Sequence, residues 1–287
     1  MPVIDVNGGQ VVYEILGDTG QLIVLTPGGR FGKDYRGVRP LAERLVAGGH
    51  RVLLWDRPNC GASDVQFFGP SESHMRADTL HGLLTALESG PVVLAGGSGG
   101  ARDSMITAIR YPELVTKLVL WNIVGGIPGL FTLSWVYIMP TISALRAKGI
   151  EGLLTVPEWK QRIQDNPRNR ERLLALDEAE FTRLTLRWLQ AYVPTPGQTI
   201  AGLNDDLLAD IRVPTRIIRG GGNDPDHPRR TSLEVSCLIP DAEVVDPPWA
   251  EDAWEQSIKA QGRGEDVGIF DTWILAAPTI LEFVDRA

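Results

Sequence analysis

Apolar and polar positions follow two different periods along the first part of the chain. Short runs that are apolar at almost every position have the length and composition of strands buried on both faces of a sheet. Between them, apolar residues recur with the spacing of amphipathic helices. The strands are predicted at 11–16, 21–25, 51–55, 92–95 and 114–122, and the helices at 38–47, 72–87 and 102–110. This alternation predicts an α/β fold with a mostly parallel sheet covered by helices on both faces.

The strand pattern stops near residue 125 and resumes near residue 213. A helical block between strands of one sheet must lie above the edge at which those strands end. Helices are predicted there at 131–148, 157–165, 168–176 and 177–192. Strands then return at 213–219 and 242–245 and helices at 229–238 and 272–284, with a long irregular connection over 247–268. We therefore predict a core domain (1–124 and 200–287) with about eight strands, and a helical cap (125–199) inserted after the sixth strand.

No charged residue occurs between Leu118 and Leu145. A run of this length is long enough to cross a bilayer. The segment 125–129, Gly-Gly-Ile-Pro-Gly, and Pro140 interrupt it, so two buried elements joined by a turn are favoured over a membrane span. The apolar part inside the cap predicts a hydrophobic wall for a ligand pocket. Phe131 and Trp135 are the expected wall residues, and the alternative is that such side chains pack inside the cap itself.

Composition and charge narrow the classes of function. The 287 residues carry a formal net charge of −8, which argues against nucleic acid as a partner because phosphate binding needs clustered Lys and Arg. Cys60 and Cys237 fit neither a metal site nor a disulfide framework, and no dinucleotide fingerprint occurs. The first residues lack the basic and apolar regions of a secretion signal. We expect a cytoplasmic enzyme for a small-molecule substrate, without metal, cofactor or membrane association, and with a homodimer left open.

The segment 92–101 contains the pattern Gly-x-Ser-x-Gly, centred on Ser98. An apolar, β-branched run precedes the pattern and a helical period follows it, which is the strand–turn–helix setting of a nucleophile elbow. In such a turn the serine hydroxyl is lifted clear of the sheet, and small neighbours are needed on both sides. The alternative is a glycine-rich loop that binds phosphate or only turns the chain.

Several polar or glycine positions come directly after predicted strands. Right-handed crossovers place the ends of parallel strands at one edge of the sheet, and ligands bind at that edge in open α/β sheets. The positions at this edge are Gly29, Asn59, Ser98 and Asn122. The predicted substrate contacts are Asn59, Asn122, Phe131 and Trp135, together with Trp249 from the long connection.

With these motifs in place, the chain resembles the α/β-hydrolase superfamily over essentially its whole length. It is most similar to small cap-bearing members: esterases, lactonases, haloalkane dehalogenases, C–C bond hydrolases and prolyl iminopeptidases. The resemblance rests on Thr26-Pro27-Gly28-Gly29, on the segment 56–64, on the elbow at Ser98, and on Gly222-Asn223-Asp224. It implies Ser98 as nucleophile, Asp224 as the acid of a triad, and the backbone N–H groups of Gly29 and Gly99 as oxyanion hole. The alternative for Asp224 is a turn aspartate.

The histidine of the triad is missing from its family position. The superfamily places it in the loop after the last core strand, and 245–252 contains none. The four histidines are His50, His74, His81 and His227. His227 lies three residues after Asp224, at the correct edge of the sheet, so it is the candidate base. Asp-x-x-His-Pro also occurs in relatives that keep the ordinary histidine, where it only starts a helix, and this alternative stays open.

Three functions are compatible with these residues. In the first, His227 acts as base and the protein is a serine hydrolase of a small hydrophobic ester or lactone. In the second, Ser98, the oxyanion hole and nearby acidic groups support lyase, cyclase or C–C cleavage chemistry. In the third, the pocket only binds a ligand. A strained glycine-flanked elbow without a use would be a cost, which disfavours the third. The first is our prediction, and the second is the alternative.

Overall fold

The computed structural model describes residues 1–222 and 224–286. Within them an eight-stranded sheet runs in the order β1-β2-β4-β3-β5-β6-β7-β8. Its strands are β1 (Val3–Val6), β2 (Gly9–Leu16), β3 (Leu22–Thr26), β4 (Arg51–Trp55), β5 (Val92–Gly97), β6 (Val115–Trp121), β7 (Thr215–Ile218) and β8 (Glu243–Val245). The β1–β2 and β2–β4 pairs are antiparallel, and the other pairs are parallel. The predicted α/β-hydrolase fold, with about eight mostly parallel strands, is confirmed.

The helices occupy both faces of the sheet and the insertion after β6. They are α1 (Val38–Ala47), α2 (Glu72–Ala86), α3 (Gly99–Arg110), α4 (Gly126–Leu133), α5 (Met139–Lys148), α6 (Pro157–Asp165), α7 (Arg168–Leu174), α8 (Glu178–Gln190), α9 (Asp205–Leu208), α10 (Arg229–Leu238), α11 (Ala253–Gly262) and α12 (Ala277–Val284). A π-helical turn, Ser134–Ile138, links α4 to α5, and 3₁₀ turns cover Pro112–Leu114, Gly149–Thr155 and Asp271–Ala276. The predicted bounds of α1 and α10 are confirmed.

Three elements, β1, α9 and α11, were not predicted from the sequence, and the helix predicted over 131–148 is divided between α4, the π-helical turn and α5. The connection predicted as irregular contains α11, which buries Ala260 alone among its residues and therefore has no apolar stripe to reveal it. The first strand, β1, was not predicted. It pairs with β2 through the turn Asn7-Gly8, whose residues both have positive φ (+53° and +79°), the combination typical of a tight hairpin.

Alternation along the strands creates a separate core on each side of the sheet. On one side Val24 and Leu94 pack with residues of α2 and α3. On the other, Ile23 and Val93 pack with α1 and the C-terminal helices. The central parallel strands are buried on both faces, which is why their sequences read as unbroken apolar runs. Two rigid layers thus fix the positions of the loops at the carboxyl ends of β3, β5 and β7.

The charge-free run after β6 is a strand followed by helices. β6 is buried, as predicted, but α4 exposes Ile127 and Phe131 to solvent, so the prediction of a second buried element is wrong for this helix. By length and composition alone, the continuous helical stretch Gly126–Asp165 would suffice to cross a membrane, and 28% of its apolar window is buried. Its inner side packs with α8 and with Phe67 and Met75 of the core.

Candidate active site

The turn between β5 and α3 holds Ser98 in a strained backbone conformation. Its φ of +55° and ψ of −121° lie in a region that L-residues rarely adopt, at a cost of roughly 1–3 kcal/mol. A Cβ on Gly96 would overlap the carbonyl of Gly100, and a Cβ on Gly100 would overlap the carbonyl of Thr26. The glycine pairs around Ser98 are therefore required by close backbone packing, and the elbow geometry expected from the motif is present.

A continuous hydrogen-bonded chain connects Ser98 with His227 and Asp224. Ser98 Oγ lies 2.9 Å from His227 Nε2, and His227 Nδ1 lies 3.0 Å from Asp224 Oδ2. The other oxygen of Asp224 accepts the backbone N–H groups of Asp226 and His227, each at 2.9 Å. All three side chains are buried. The imidazole bridges a serine hydroxyl and a carboxylate in the arrangement of a catalytic triad.

Hydrogen bonds and nearby charge keep the carboxylate of Asp224 ionised. Burial alone would raise the pKa of Asp224, but the hydrogen bond from the His227 ring and the bonds from backbone N–H groups outweigh it and lower the pKa below its ordinary value. An ionised Asp224 accepts the proton on Nδ1 of His227. In that tautomer Nε2 is the acceptor that faces the Ser98 hydroxyl.

The loop between β7 and α10 supplies both the acid and the imidazole. His227 lies at the end of this loop, and α10 begins two residues later at Arg229. The alternative, that His227 does no more than precede a helix, does not account for the contact of its side chain with Ser98. Asn223, part of the motif that identified Asp224, lies outside the described residues.

The other three histidines are engaged elsewhere. His74 Nδ1 lies 2.8 Å from Ser71 Oγ, and His50 Nε2 lies 3.0 Å from Asp285. His81 stacks on Tyr111 with ring centroids 4.1 Å apart. Among these imidazoles and His227, the one that contacts Ser98 is His227.

The backbone of Gly28 and Gly29 packs against the elbow. A Cβ on Gly99 would lie 3.1 Å from the nitrogen of Gly29, and a Cβ on Gly28 would lie 3.1 Å from Ser98 Oγ. Gly29 itself has φ +48°, and a Cβ there would overlap the Tyr137 hydroxyl. The backbone nitrogen of Gly29 therefore lies close to the Gly99 backbone, next to Ser98.

A small cavity of about 20 Å³ adjoins Ser98, and four charged side chains, Arg30, Glu72, Arg76 and Arg102, contribute to its lining. The core contributes arginines from the loop after β3, from α2 and from α3, while the helical insertion contributes Leu133, Tyr137 and the nearby Tyr192. Its lining residues are Gly29, Arg30, Glu72, Arg76, Ser98, Gly99, Arg102, Val124, Leu133, Tyr137 and Tyr192. Leu133 and Tyr137, rather than the predicted Phe131 and Trp135, form the insertion's side of this cavity.

Five predicted substrate contacts lie elsewhere. Phe131 and Trp135 are 59% and 72% exposed, because the helix turns Leu130, Leu133 and Tyr137 inward instead. Asn59 is fully buried and binds the Gln66 carbonyl and Glu72. Asn122 is buried beside the sheet edge, and Trp249 packs on the core between the sheet and the C-terminal helices. Arg102, which was not predicted, does line the cavity. It follows Ser98 by four residues, and this spacing of one helical turn could have indicated in the sequence that the two side chains lie on the same side of the helix.

Glu72 is the hub of the buried charges next to this cavity. Its carboxylate accepts hydrogen bonds from Arg30 at 3.0 and 3.1 Å and from Asn59 at 3.0 Å, and it pairs with Arg76 at 3.1 Å. Burial would raise its pKa, but the two guanidinium groups outweigh burial and lower the pKa of Glu72 to about 2. The carboxylate therefore stays charged at pH values well above 2.

Replacing Glu72 by glutamine should lower the free energy of unfolding by about 3–5 kcal/mol at pH 7, because two buried guanidinium groups lose their partner. The group's pKa is near 4.5 when unfolded and about 2 when folded, so its stabilisation is complete above about pH 4.5 and is lost as the pH falls towards 2. The difference between the two proteins in urea unfolding should shrink over that range. Glu113→Gln, at an exposed carboxylate, is the control. Equal stabilities at pH 7 would contradict the assignment.

Comparison with known proteins identifies the class. A family model described as "Alpha/beta hydrolase family" matches residues 23–271. The chain therefore belongs to the α/β-hydrolase family, and it is a hydrolase of that family. In sequence it is similar to 2-hydroxy-6-oxononadienedioate/2-hydroxy-6-oxononatrienedioate hydrolase 2 of Pseudomonas putida, 33% identical over 249 residues that cover 82% of each chain. The corresponding enzyme of Escherichia coli (strain K12) is 35% identical over 115 residues, 36% of this chain and 39% of that protein.

Solved structures share the fold along the whole chain. The enol-lactonase of Burkholderia xenovorans LB400 matches with a TM-score of 0.61 and 19% identity, over 99% of this chain and 100% of that one. A mutant of the meta-cleavage product hydrolase CumD matches with a TM-score of 0.60 and 23% identity, over 100% and 98%. At these identities the likeness shows the fold alone.

Proposed function

We propose that this chain hydrolyses a small carbonyl compound, an ester or lactone, with Ser98 as nucleophile, His227 as general base and Asp224 as the acid of the triad. The observation that carries the proposal is the 2.9 Å contact between Ser98 Oγ and His227 Nε2, with Asp224 on the other ring nitrogen. An isolated serine hydroxyl is a poor nucleophile at neutral pH, and an adjacent base removes that obstacle.

The chemistry proceeds through an acyl-enzyme. As Ser98 Oγ bonds to the substrate carbonyl carbon, its proton moves to His227 Nε2, and Asp224 stabilises the resulting imidazolium. The tetrahedral intermediate collapses when His227 returns the proton to the departing alkoxide. Water, deprotonated by the same imidazole, then attacks the acyl group and releases the acid and Ser98. One water molecule is consumed for each bond that is cleaved.

The backbone N–H groups of Gly29 and Gly99 form the oxyanion hole in this proposal. Their proximity to each other and to Ser98 supports it. Two donors that are already oriented towards the developing negative charge are worth a few kcal/mol of transition-state stabilisation. Glycine at position 29 suits this role, since its φ of +48° and the nearby Tyr137 hydroxyl leave no room for a side chain.

Residues 125–199 act as the cap in this proposal, as the sequence predicts, and residues 1–124 and 200–287 as the core. Leu133 and Tyr137 of the insertion complete the wall of the Ser98 cavity. A wall that closes over the sheet edge excludes bulk water and strengthens the electrostatic interactions of the site.

A second candidate is the hydrolysis of a carbon–carbon bond in a 2-hydroxy-6-oxo acid, the kind of compound in the name of the 33% identical Pseudomonas putida hydrolase. The same Ser98 would attack a ketone carbonyl, and the leaving group would be a carbanion held as an enolate by a neighbouring carbonyl of the substrate. His227 would supply the proton that the enolate takes up. The products would be a carboxylic acid and a ketone or enol.

Product analysis separates the two candidates. The purified protein is offered ethyl esters and five-membered lactones in one series and 1,5-diketones with an adjacent enol in another, and the products are followed by NMR. Turnover of the first series, lost in Ser98→Ala, supports the ester or lactone assignment. Turnover of the second series alone transfers the assignment to C–C hydrolysis. Turnover that persists in Ser98→Ala refutes both.

Trp254 is expected to hold His227 in place. Its ring meets the imidazole edge to face with centroids 4.4 Å apart, and its Nε1 donates to Asp226 at 3.1 Å. Trp254→Ala should lower kcat about tenfold with little change in KM, since a loosened imidazole misses the reacting geometry more often. Trp254→Phe keeps a ring against His227 and should retain most of the activity. An alanine variant with wild-type kcat and an unchanged pH profile would contradict this role.

A further inference from the structure

The buried guanidinium groups around the Ser98 cavity do not all have a carboxylate partner. Three guanidinium groups are neutralised by carboxylates that contact them directly. Arg30 pairs with Glu72 at 3.0 Å and with Glu158 at 2.7 Å, and Arg57 pairs with Asp103 at 2.9 Å. Arg76 pairs with Glu72 at 3.1 Å and lies 3.8 Å from Asp103. Arg102, a fourth guanidinium, is left over.

Arg102 contacts only neutral groups in the part of the chain that the structure describes. Its Nε donates to Ser73 Oγ at 2.8 Å, and one Nη donates to the hydroxyl of Tyr192 at 3.1 Å. The guanidinium also lies over the Tyr192 ring, 5.2 Å from its centroid. The residue is 8% exposed, and it lines the cavity together with Ser98. A buried positive charge therefore borders the cavity without a carboxylate of its own.

We propose that Arg102 binds a carboxylate group of the substrate, so that this enzyme acts on small carbonyl compounds that carry one negative charge near the bond to be cleaved. This inference rests on the proposed function of Ser98. A buried guanidinium without a counter-ion is unfavourable, and an incoming carboxylate removes that penalty. The planar N–H groups of arginine match a carboxylate better than any other anion of this size, except phosphate.

The position of Arg102 sets the distance between the two groups of the substrate. Arg102 follows Ser98 by one turn of α3, and its backbone N–H contacts the Ser98 carbonyl at 3.4 Å. Both side chains line the same small cavity, so a carboxylate held by Arg102 and a carbonyl attacked by Ser98 are separated by only a few bonds. Arg30, Arg57 and Arg76 already have carboxylate partners. Arg102 is therefore the one of these four guanidinium groups that is available to a ligand, and the cavity selects a substrate with a single carboxylate.

Two esters of equal size test this selection. Monoethyl succinate carries a free carboxylate, and ethyl succinamate replaces it by a neutral carboxamide of the same shape. The wild-type protein should hydrolyse the first with a kcat/KM about 100-fold higher, because a charged partner of a buried guanidinium is replaced by a neutral one. Release of ethanol is followed by NMR.

Variants assign the preference to one residue. Arg102→Met should lower kcat/KM for monoethyl succinate about 100-fold and change that for ethyl succinamate by less than about threefold. Arg102→Lys keeps the charge and should recover about a tenth of the wild-type preference, because it lacks the planar fork. Arg110→Met removes an exposed guanidinium from the same helix and should leave both esters unaffected. An equal loss with both esters in Arg102→Met would mean a purely structural role and overturn the proposal.

Binding without turnover decides the case in which neither ester is hydrolysed. Calorimetry measures binding of succinamate, which carries one carboxylate, and of the neutral diamide succinamide to Ser98→Ala and to the Ser98→Ala/Arg102→Met double variant. Succinamate should bind Ser98→Ala at least tenfold more tightly than succinamide, and the second substitution should abolish the difference. Such binding without hydrolysis would contradict the proposed function of Ser98 and leave the carboxylate site supported. Equal binding of the two ligands by Ser98→Ala would overturn the carboxylate site.

Discussion

Ser98→Ala should lower kcat by about 10⁶-fold while the protein stays folded, because the nucleophile acts as one unit with its base and the loss of either removes the covalent route. The alanine retains the backbone strain of the elbow, at φ +55°, and loses only the bond to His227. The thermal midpoint should therefore remain within a few degrees of the wild type. Steady-state kinetics on an ester that the wild type hydrolyses, with circular dichroism as the folding control, measure both effects.

Ser98→Gly provides a matched second variant. Glycine adopts this φ without steric cost, so the variant should be inactive like Ser98→Ala but more stable than it. A Ser98→Ala protein that turned over the same ester at the wild-type rate would show that another group performs the attack, and the triad assignment would be wrong.

His227→Ala should abolish activity almost as completely as Ser98→Ala, and the double variant should be no worse than either single one. A fluorophosphonate probe reports the reactivity of Ser98 itself, independent of any substrate. It should label the wild type rapidly and His227→Ala hardly at all, since the hydroxyl loses the acceptor 2.9 Å away. His81→Ala, which removes an imidazole that stacks on Tyr111, is the control.

Asp224→Asn tests the third member with little change in shape. The amide accepts or donates at Nδ1 without a negative charge, so kcat should fall by about 10⁴-fold.

Equal labelling of wild-type and His227→Ala proteins by the fluorophosphonate probe would contradict the role of His227 and leave Ser98 to be activated by another group.

The fold was predictable because the sheet imposes its own period on the sequence. β3, β4 and β5 are buried on both faces, and each appears as an uninterrupted apolar run. Ser98 was predictable for a related reason. The close backbone packing of this turn excludes side chains at neighbouring positions, so any sequence that forms the turn needs glycine there. α11 lacked a comparable signal, since only one of its residues is buried.

The pocket was not predictable in the same way. The charge-free run suggested an apolar wall, yet its most prominent aromatic residue, Trp135, is 72% exposed. The cavity is lined instead by Arg30, Arg76 and Arg102, which come from three separate elements of the core. Residues far apart in sequence meet there only through the packing of α2 and α3 on the sheet. The hydrophobic period of one helix does not predict which residues of other elements lie next to it.

Histidine placement required the structure as well. From the sequence, His227 was equally a helix-starting residue and a candidate base, because the direction of a side chain in a short loop depends on how that loop leaves β7. The close approach of Gly220 to the His227 carbonyl fixes this path: a Cβ at position 220 would overlap that oxygen. The ring then has Asp224 on one side and Ser98 on the other.

Asp224 and His227 lie three residues apart on the loop between β7 and α10, so the acid and the base of the proposed triad share one backbone support. A displacement of this loop moves both groups together and changes the contact with Ser98 before the bond between acid and base. On the proposed mechanism, the chain after β8 carries no member of the triad and is free of that constraint.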